Sequence, residues 1–278
     1  MTRYIVFANR KGGCGKTTTA VNIACIFSIN NKKVLLVDLD PQAHATLSLR
    51  INPDPEKPNI YHLLDKKASF KEVIQQVTPA SKMNCHSITN KNDEKQEKSQ
   101  SENLYIIPSS RNLSVVEMNA PKFSGDELYL AEVIHTNASE FDYVIIDPPP
   151  SVGILSVSAL VAAKEAYIPM PMHFLAMEGL AEMTRLIYQI NATWNPELKL
   201  CGIIPTFYNK NTRITKEIAS DIVNTFGTER LAPPIRQNVA LAEAPGHGCS
   251  IFEYAPESIG ADDYESLAKF IEVKGDNF

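Results

Sequence analysis

Short apolar runs alternate with longer segments whose apolar residues recur at helical spacing through most of the chain. The short runs predict buried strands at about residues 4–8, 33–38, 104–108, 141–147, 166–169 and 200–205. The longer segments predict helices at about residues 16–30, 60–77, 155–163, 177–193 and 261–273. Because strands that alternate with helices pair in parallel through right-handed crossovers, we expect an α/β fold. It should be a mostly parallel, doubly wound sheet flanked by helices, with residues 1–278 forming one domain.

The regular pattern stops between residues 81 and 102, where polar and charged residues leave little apolar surface to bury. We expect this stretch to be a disordered surface insertion within the domain. A tolerated loop and a docking segment for a partner are both open interpretations.

Composition excludes several classes of protein. No apolar run approaches the ~20 residues of a membrane span, and the chain opens on a strand pattern rather than a signal peptide, so we expect a cytoplasmic protein. The five cysteines are scattered, which favours free thiols over a zinc ribbon or a disulfide framework. With a net charge of −5, binding to nucleic acid would need a local basic patch.

A glycine-rich loop joins the first predicted strand to the first predicted helix. Its glycines let backbone amides converge on an anion, and the helix N-terminus adds its positive dipole. Lys16 can then reach the β and γ phosphates of a nucleotide, and the Thr17 hydroxyl can ligate magnesium. The expected nucleotide contacts in this loop are Gly12, Gly13, Cys14, Gly15, Lys16, Thr17 and Thr18.

The loop departs from the pattern G-x-x-x-x-G-K-[ST], because Arg10 stands where the first glycine should be and Lys11 follows it. The string from Lys11 to Thr18, KGGCGKTT, resembles the deviant Walker A loop of the ParA/MinD family of ATPases. This resemblance implies a P-loop fold, the cofactors ATP and Mg²⁺, and slow ATP hydrolysis. It also implies that Lys11 reaches the nucleotide of a second subunit in an ATP-dependent sandwich homodimer.

Two acidic signatures follow predicted strands. Asp38 ends the second predicted strand and Asp40 follows it, and Asp147 ends the strand at 141–147. The carboxyl ends of parallel strands share one sheet edge, so all three should lie near the phosphate loop. The resemblance implies that Asp38 and Asp147 help to hold the magnesium ion and its water shell, and that Asp40 orients the attacking water. The catalytic candidates are therefore Lys11, Lys16 and Asp40, and the metal candidates are Thr17, Asp38 and Asp147.

Simpler interpretations exist for three residues near these motifs. Asp40 followed by Pro41 could merely start a turn. Cys14, near a helix start, could have a lowered pKa and act as a redox switch, or it could be a small filler. We interpret His44 as structural or solvated rather than catalytic.

The end of the last predicted strand carries the remaining candidates. The resemblance places the adenine pocket there, and Thr206 is the candidate base contact. A basic cluster then follows, and in nucleoid-coating relatives basic residues of this region contact DNA phosphates without reading sequence. A solvated helix face explains the cluster equally well, and Ala240 and Cys249 stand where close relatives often have basic residues. The candidate DNA contacts are Lys210, Arg213, Lys216 and Arg236.

The resemblance implies an ATP-dependent dimerisation switch that partitions or positions DNA or protein cargo, together with an activating adaptor of ParB type or a cargo adaptor. It also implies association with the nucleoid in the ATP state through non-specific DNA binding. A MinD-like ATPase acting on a membrane or protein surface is the alternative, but the acidic C-terminal helix argues against stable membrane association. Iron-protein reductases share the fold, and the absence of a C-x-x-C pair disfavours them.

Overall fold

The computed structural model describes residues 1–78, 102–119 and 127–275. All but the last residue of the stretch from 81 to 102, where the sequence predicts an insertion, lie outside this description. The strands are β1 (Arg3–Phe7), β2 (Val34–Asp38), β3 (Gln75–Gln76), β4 (Leu104–Ile107), β5 (Tyr143–Asp147), β6 (Glu165–Pro171) and β7 (Lys199–Thr206). The helices are α1 (Lys16–Ile29), α2 (His44–Ser48), α3 (Ile60–Leu64), α4 (Phe70–Val73), α5 (Ser114–Met118), α6 (Tyr129–Asn137), α7 (Ile154–Ala162), α8 (Phe174–Thr193), α9 (Arg213–Phe226), α10 (Val239–Glu243), α11 (Ile251–Tyr254) and α12 (Ile259–Gly275).

The strands form one sheet in the order β3-β4-β2-β5-β1-β6-β7. Every pair is parallel except β3 with β4. Residues of β1, β2 and β5 are almost all buried, as expected for strands covered on both faces. The prediction of a mostly parallel, doubly wound sheet is confirmed.

The helix predicted over residues 60–77 is wrong in one respect, because the segment divides. Asn59 caps α3 by accepting from the Tyr61 amide, and the chain then turns through Lys66, whose φ is 59°. A capping box between Ser69 and Glu72 starts α4, and the chain continues as the edge strand β3. Local capping thus ends a helix that apolar spacing alone would have continued.

A hydrophobic core lies on each face of the sheet. One includes buried residues of α7 and α8, and the other includes those of α1 and α12. In α12, Tyr264, Leu267 and Ile271 are buried, and the Tyr264 hydroxyl is 3.2 Å from Thr19 Oγ1 in α1. The C-terminal helix is therefore part of the core.

Candidate nucleotide-binding site

The phosphate loop leaves the carboxyl end of β1 and enters α1 at Lys16. Gly13 and Gly15 have φ values of 67° and 91°, in the left-handed region where a Cβ is strained. The Lys16 side chain is buried, and its Nζ donates a hydrogen bond of 3.3 Å to the carbonyl oxygen of Lys11. The lysine therefore closes the loop on itself, in the position expected for a phosphate contact.

Asp38 and Asp147 lie opposite each other at the ends of the paired strands β2 and β5. Asp147 is fully buried, and neither of its carboxylate oxygens has a hydrogen-bond partner among the described residues. Burial raises the pKa of Asp147 well above its usual range, and the charge of Asp38 adds to this effect, while Thr17 and Lys16 oppose it. A buried carboxylate that the chain does not saturate, next to the Thr17 hydroxyl, fits a magnesium shell.

Asp38 is in a different environment, because the chain itself saturates its carboxylate. Its Oδ2 accepts from the amide and the hydroxyl of Thr46, at 2.9 and 2.7 Å, and its Oδ1 accepts from the Asp40 amide at 3.1 Å. Burial raises the pKa of Asp38 to about 7, although these hydrogen bonds act in the opposite direction. Asp38 therefore organises the segment from Asp40 to Thr46 in this conformation.

Asp40 and the phosphate loop line a cleft of about 630 Å³. The Asp40 carboxylate accepts only the Gln42 amide, at 2.8 Å, among the hydrogen bonds seen within the described chain. Of the predicted nucleotide contacts, all seven loop residues line the cleft, and Thr206 does not. A cleft of this size is within the range of small-molecule and cofactor sites.

The sequence did not reveal several residues that line this cleft. Gln42 and His44 line the cleft beside Asp40, and the segment 244–249 adds Ala244, Pro245, Gly246 and Cys249 to the lining. His44 is exposed, in agreement with its interpretation as solvated. The Pro-Gly pair at 245–246 indicates a turn in the sequence, but it does not indicate that this turn approaches the phosphate loop. That approach depends on packing between residues far apart in the sequence.

Thr206 lies beneath the phosphate loop. It is buried, and its hydroxyl donates to the Cys14 carbonyl at 3.0 Å. In this conformation Thr206 supports the loop, and its contact with a base stays a prediction. Cys14 is also fully buried, and burial raises the pKa of its thiol, which is the opposite of the lowered pKa that a redox switch would need.

Lys11 points away from the cleft. Its Nζ is 2.9 Å from His173 Nε2, immediately before α8, and Lys11 is not among the residues that line the cleft. The Lys11 amide donates to Asn9 Oδ1, and Asn9 in turn donates to the Pro169 carbonyl in β6. The first part of the loop is thus attached to β6 and α8, and the ammonium of Lys11 does not serve its own cleft.

The four candidate DNA contacts divide into two kinds. Arg213 forms an ion pair with Glu217 at 2.6 Å, and Arg236 binds Asp263 through its amide, Nε and terminal nitrogen. Lys210 and Lys216 are exposed, and within the described chain neither pairs with a carboxylate. The two lysines are therefore the freer cations of this surface.

Among the described helices, none has the length and apolar character that crossing a bilayer requires.

Comparisons with known proteins agree with this geometry. A family model described as an AAA domain matches residues 2–200. The chain is 33% identical to the chromosome-partitioning ATPase Soj of Treponema pallidum, over 98% of this chain and 97% of that protein. It is 31% identical to the sporulation initiation inhibitor protein Soj of Bacillus subtilis, over 99% and 100%. A crystal structure of cobyrinic acid a,c-diamide synthase from Mycobacterium smegmatis with bound ATP analog and magnesium is 29% identical, with a TM-score of 0.77, and covers 97% of this chain and 93% of that one.

A P-loop nucleotide site on a mostly parallel sheet defines the class of protein, an ATPase. The chain belongs to the AAA domain family and, within it, to the Soj-type members of the ParA/MinD family of ATPases. The predicted cofactors are confirmed at the level of homologous structures, one of which holds an ATP analog with magnesium.

Proposed function

We propose that this ATPase is an ATP-dependent dimerisation switch that partitions or positions DNA or protein cargo. The observation that carries the proposal is the position of Lys11, whose ammonium lies on His173 outside its own cleft. Within one subunit, Lys16 is therefore the loop lysine that lines the cleft. A second subunit placed face to face would supply its Lys11 to the bound triphosphate, whose concentrated negative charge favours a second cation.

Magnesium would be held by the nucleotide together with Thr17 and Asp147, with Asp38 nearby. No group of three or more His, Cys, Asp or Glu residues suited to a metal occurs in the described ranges. This is compatible with Mg²⁺, which commonly keeps several waters and binds one or two carboxylates plus substrate phosphates. When bound, the ion neutralises charge on the transferred phosphoryl group. Lys16 contacts the phosphates, and Asp40 orients water at the edge of the cleft.

Dimerisation would present the basic surface twice. Two copies of Lys210 and Lys216 on one particle raise affinity for DNA through avidity, and the contacts are to phosphates rather than to bases. Hydrolysis would release the dimer and with it the DNA. We therefore expect nucleoid association in the ATP state, with an activating adaptor of ParB type or a cargo adaptor that accelerates hydrolysis. The family to which the two Soj relatives belong supports this function.

The alternative is a MinD-like switch that acts on a membrane or protein surface. The packing of α12 against α1 does not favour it, because Tyr264, Leu267 and Ile271 of this helix are used in the core. Co-sedimentation with anionic vesicles in the presence of ATP would detect such a switch.

The central experiment measures mass and DNA binding together. Light scattering should give a dimer with Mg-ATP and a monomer with ADP or without nucleotide. In DNA mobility-shift assays at low salt, the protein should bind DNA with Mg-ATP and bind it less well with ADP or without nucleotide, and binding should weaken as salt rises. Lys11→Ala should remain a monomer with ATP, whereas the exposed Lys269→Ala should behave as the parent. A Lys11→Ala protein that dimerises normally contradicts the cross-subunit role.

A further inference from the structure

Two buried hydroxyl groups outside the cleft lining hold the segment that carries Asp40. Thr46, in α2, is fully buried and donates to Asp38 Oδ2 through both its hydroxyl and its amide. Its hydroxyl also accepts a hydrogen bond of 3.0 Å from the Ser109 amide, just beyond β4. Because one hydroxyl carries a single proton, the bond received from Ser109 and the bond given to Asp38 fix its direction.

Ser109 binds the other end of the same segment. It is fully buried, and its hydroxyl donates to the backbone carbonyl of Asp40 at 2.7 Å. The Asp40 amide meanwhile donates to Asp38 Oδ1. Asp38, Thr46 and Ser109 therefore hold both the amide and the carbonyl of Asp40, and neither Thr46 nor Ser109 lines the cleft.

We propose that Thr46 and Ser109 are positioning residues for ATP hydrolysis, which fix the Asp40 carboxylate at the cleft without contact to the nucleotide. Small displacements of a group that orients an attacking water reduce turnover strongly, because the reacting geometry must be met closely. The inference rests on the proposed role of Asp40 in turnover, and an Asp40→Asn variant tests that role separately.

The experiment compares kcat and KM for ATP at saturating magnesium. Thr46→Val and Ser109→Ala remove one hydroxyl each and should lower kcat about tenfold or more, because each lost hydrogen bond loosens the segment that places the Asp40 carboxylate. KM should change less than about twofold, because binding contacts stay in place. Thr46→Ser keeps the hydroxyl and should restore most of kcat.

Two matched controls are available in the chain. Ser110 is fully buried next to Ser109, and Thr184 is buried in α8, and neither hydroxyl has a hydrogen-bond partner among the described residues. Ser110→Ala and Thr184→Val should retain kcat within about twofold. In an Asp40→Asn background, Thr46→Val should cause little further loss, because the group that it positions is gone.

The proposal would be overturned by an unchanged kcat in folded Ser109→Ala, or by an equal loss of kcat in Ser110→Ala. An effect of Thr46→Val or Ser109→Ala on KM instead of kcat would also overturn it. So would a full additional loss of kcat when either variant is made in the Asp40→Asn background. An unchanged kcat in Asp40→Asn would overturn the role of Asp40 and the positioning role with it. If Thr46→Val does not fold, as judged by thermal unfolding, Ser109→Ala in both backgrounds decides the question.

Discussion

At the scale of residues, two buried carboxylates at equivalent strand ends have different chemistry. Asp38 is saturated by donors from its own chain, whereas Asp147 has none among the described residues. A buried carboxylate without a donor is costly, and the cost is relieved by a proton or by a cation. The difference supports the proposed magnesium role for Asp147 more than for Asp38, although the sequence presents both as acids at the ends of buried strands.

The first prediction concerns pH and stability without magnesium and nucleotide. The pKa of Asp38 is about 7 in the folded chain, and an unfolded Asp has a value of about 3.9. Between these values the folded carboxyl keeps a proton that the unfolded one releases. The unfolding free energy should therefore fall as pH rises from about 4 to 7, by at most about 1.4 kcal/mol per pH unit for one proton.

Thermal unfolding in a chelating buffer measures this slope. Asp147→Asn should flatten it, because a second buried acid with a raised pKa is removed together with its charge beside Asp38. The exposed Asp221→Asn should leave it unchanged. Mg-ATP should also reduce the slope in the parent protein. A melting temperature that rises steadily over this pH range contradicts the prediction.

The second prediction concerns thiol reactivity. Burial raises the pKa of Cys14, and it raises that of Cys201 to about 12, so both should react very slowly with iodoacetamide in the folded protein. Cys249 is half-buried and lines the cleft, and it should react faster and be protected by Mg-ATP. Mass spectrometry of the labelled peptides distinguishes these positions. Rapid labelling of Cys14 without unfolding would restore the redox interpretation.

At the scale of elements, the sequence was sufficient for most of the sheet. Buried parallel strands are continuous apolar runs, and the glycine loop and the acids fall at their ends, so the edge that holds the site was predictable. The division of residues 60–77 was not, because Ser69 and Glu72 act through a capping box that apolar spacing does not reveal. The wall formed by segment 244–249 was also missed, since a contact between distant segments leaves no local pattern.

The third prediction concerns how β7 packs under α12. A Cβ at Gly202 would lie 2.9 Å from Tyr167 Cδ1 and 3.2 Å from Phe270 Cε1, closer than packed side chains tolerate. Gly202→Ala should destabilise the fold by about 1–3 kcal/mol. Gly246→Ala is the matched control, because open space surrounds its Cβ position. Denaturant unfolding measures the difference, and equal stability of the two variants would show that the core yields at this position.

At the scale of the whole molecule, the nucleotide cleft and the basic surface are connected through β7. Thr206, its last residue, supports the phosphate loop, and Lys210 follows a few residues later. The sequence predicted the cluster, but it could not separate free cations from those held by the fold. Arg236 is held by Asp263 in α12, so its guanidinium has a structural partner, whereas Lys210 and Lys216 face solvent.

The fourth prediction follows from this division. The double variant Lys210→Ala/Lys216→Ala should weaken ATP-dependent DNA binding for all sequences alike. It should also reduce the slope of log K against log salt by about 0.9 for each DNA phosphate that the variant no longer neutralises. Melting temperature and ATP-dependent dimerisation should stay unchanged, since both side chains are exposed. Arg236→Ala should instead lower the melting temperature, because it removes the guanidinium that neutralises the buried Asp263 and keeps only the backbone amide of residue 236 among its contacts. Mobility shifts at several salt concentrations, with light scattering on the same samples, measure these effects. If the double lysine variant binds DNA with the parental affinity and salt slope, this surface is a solvated helix face and the DNA contacts lie elsewhere.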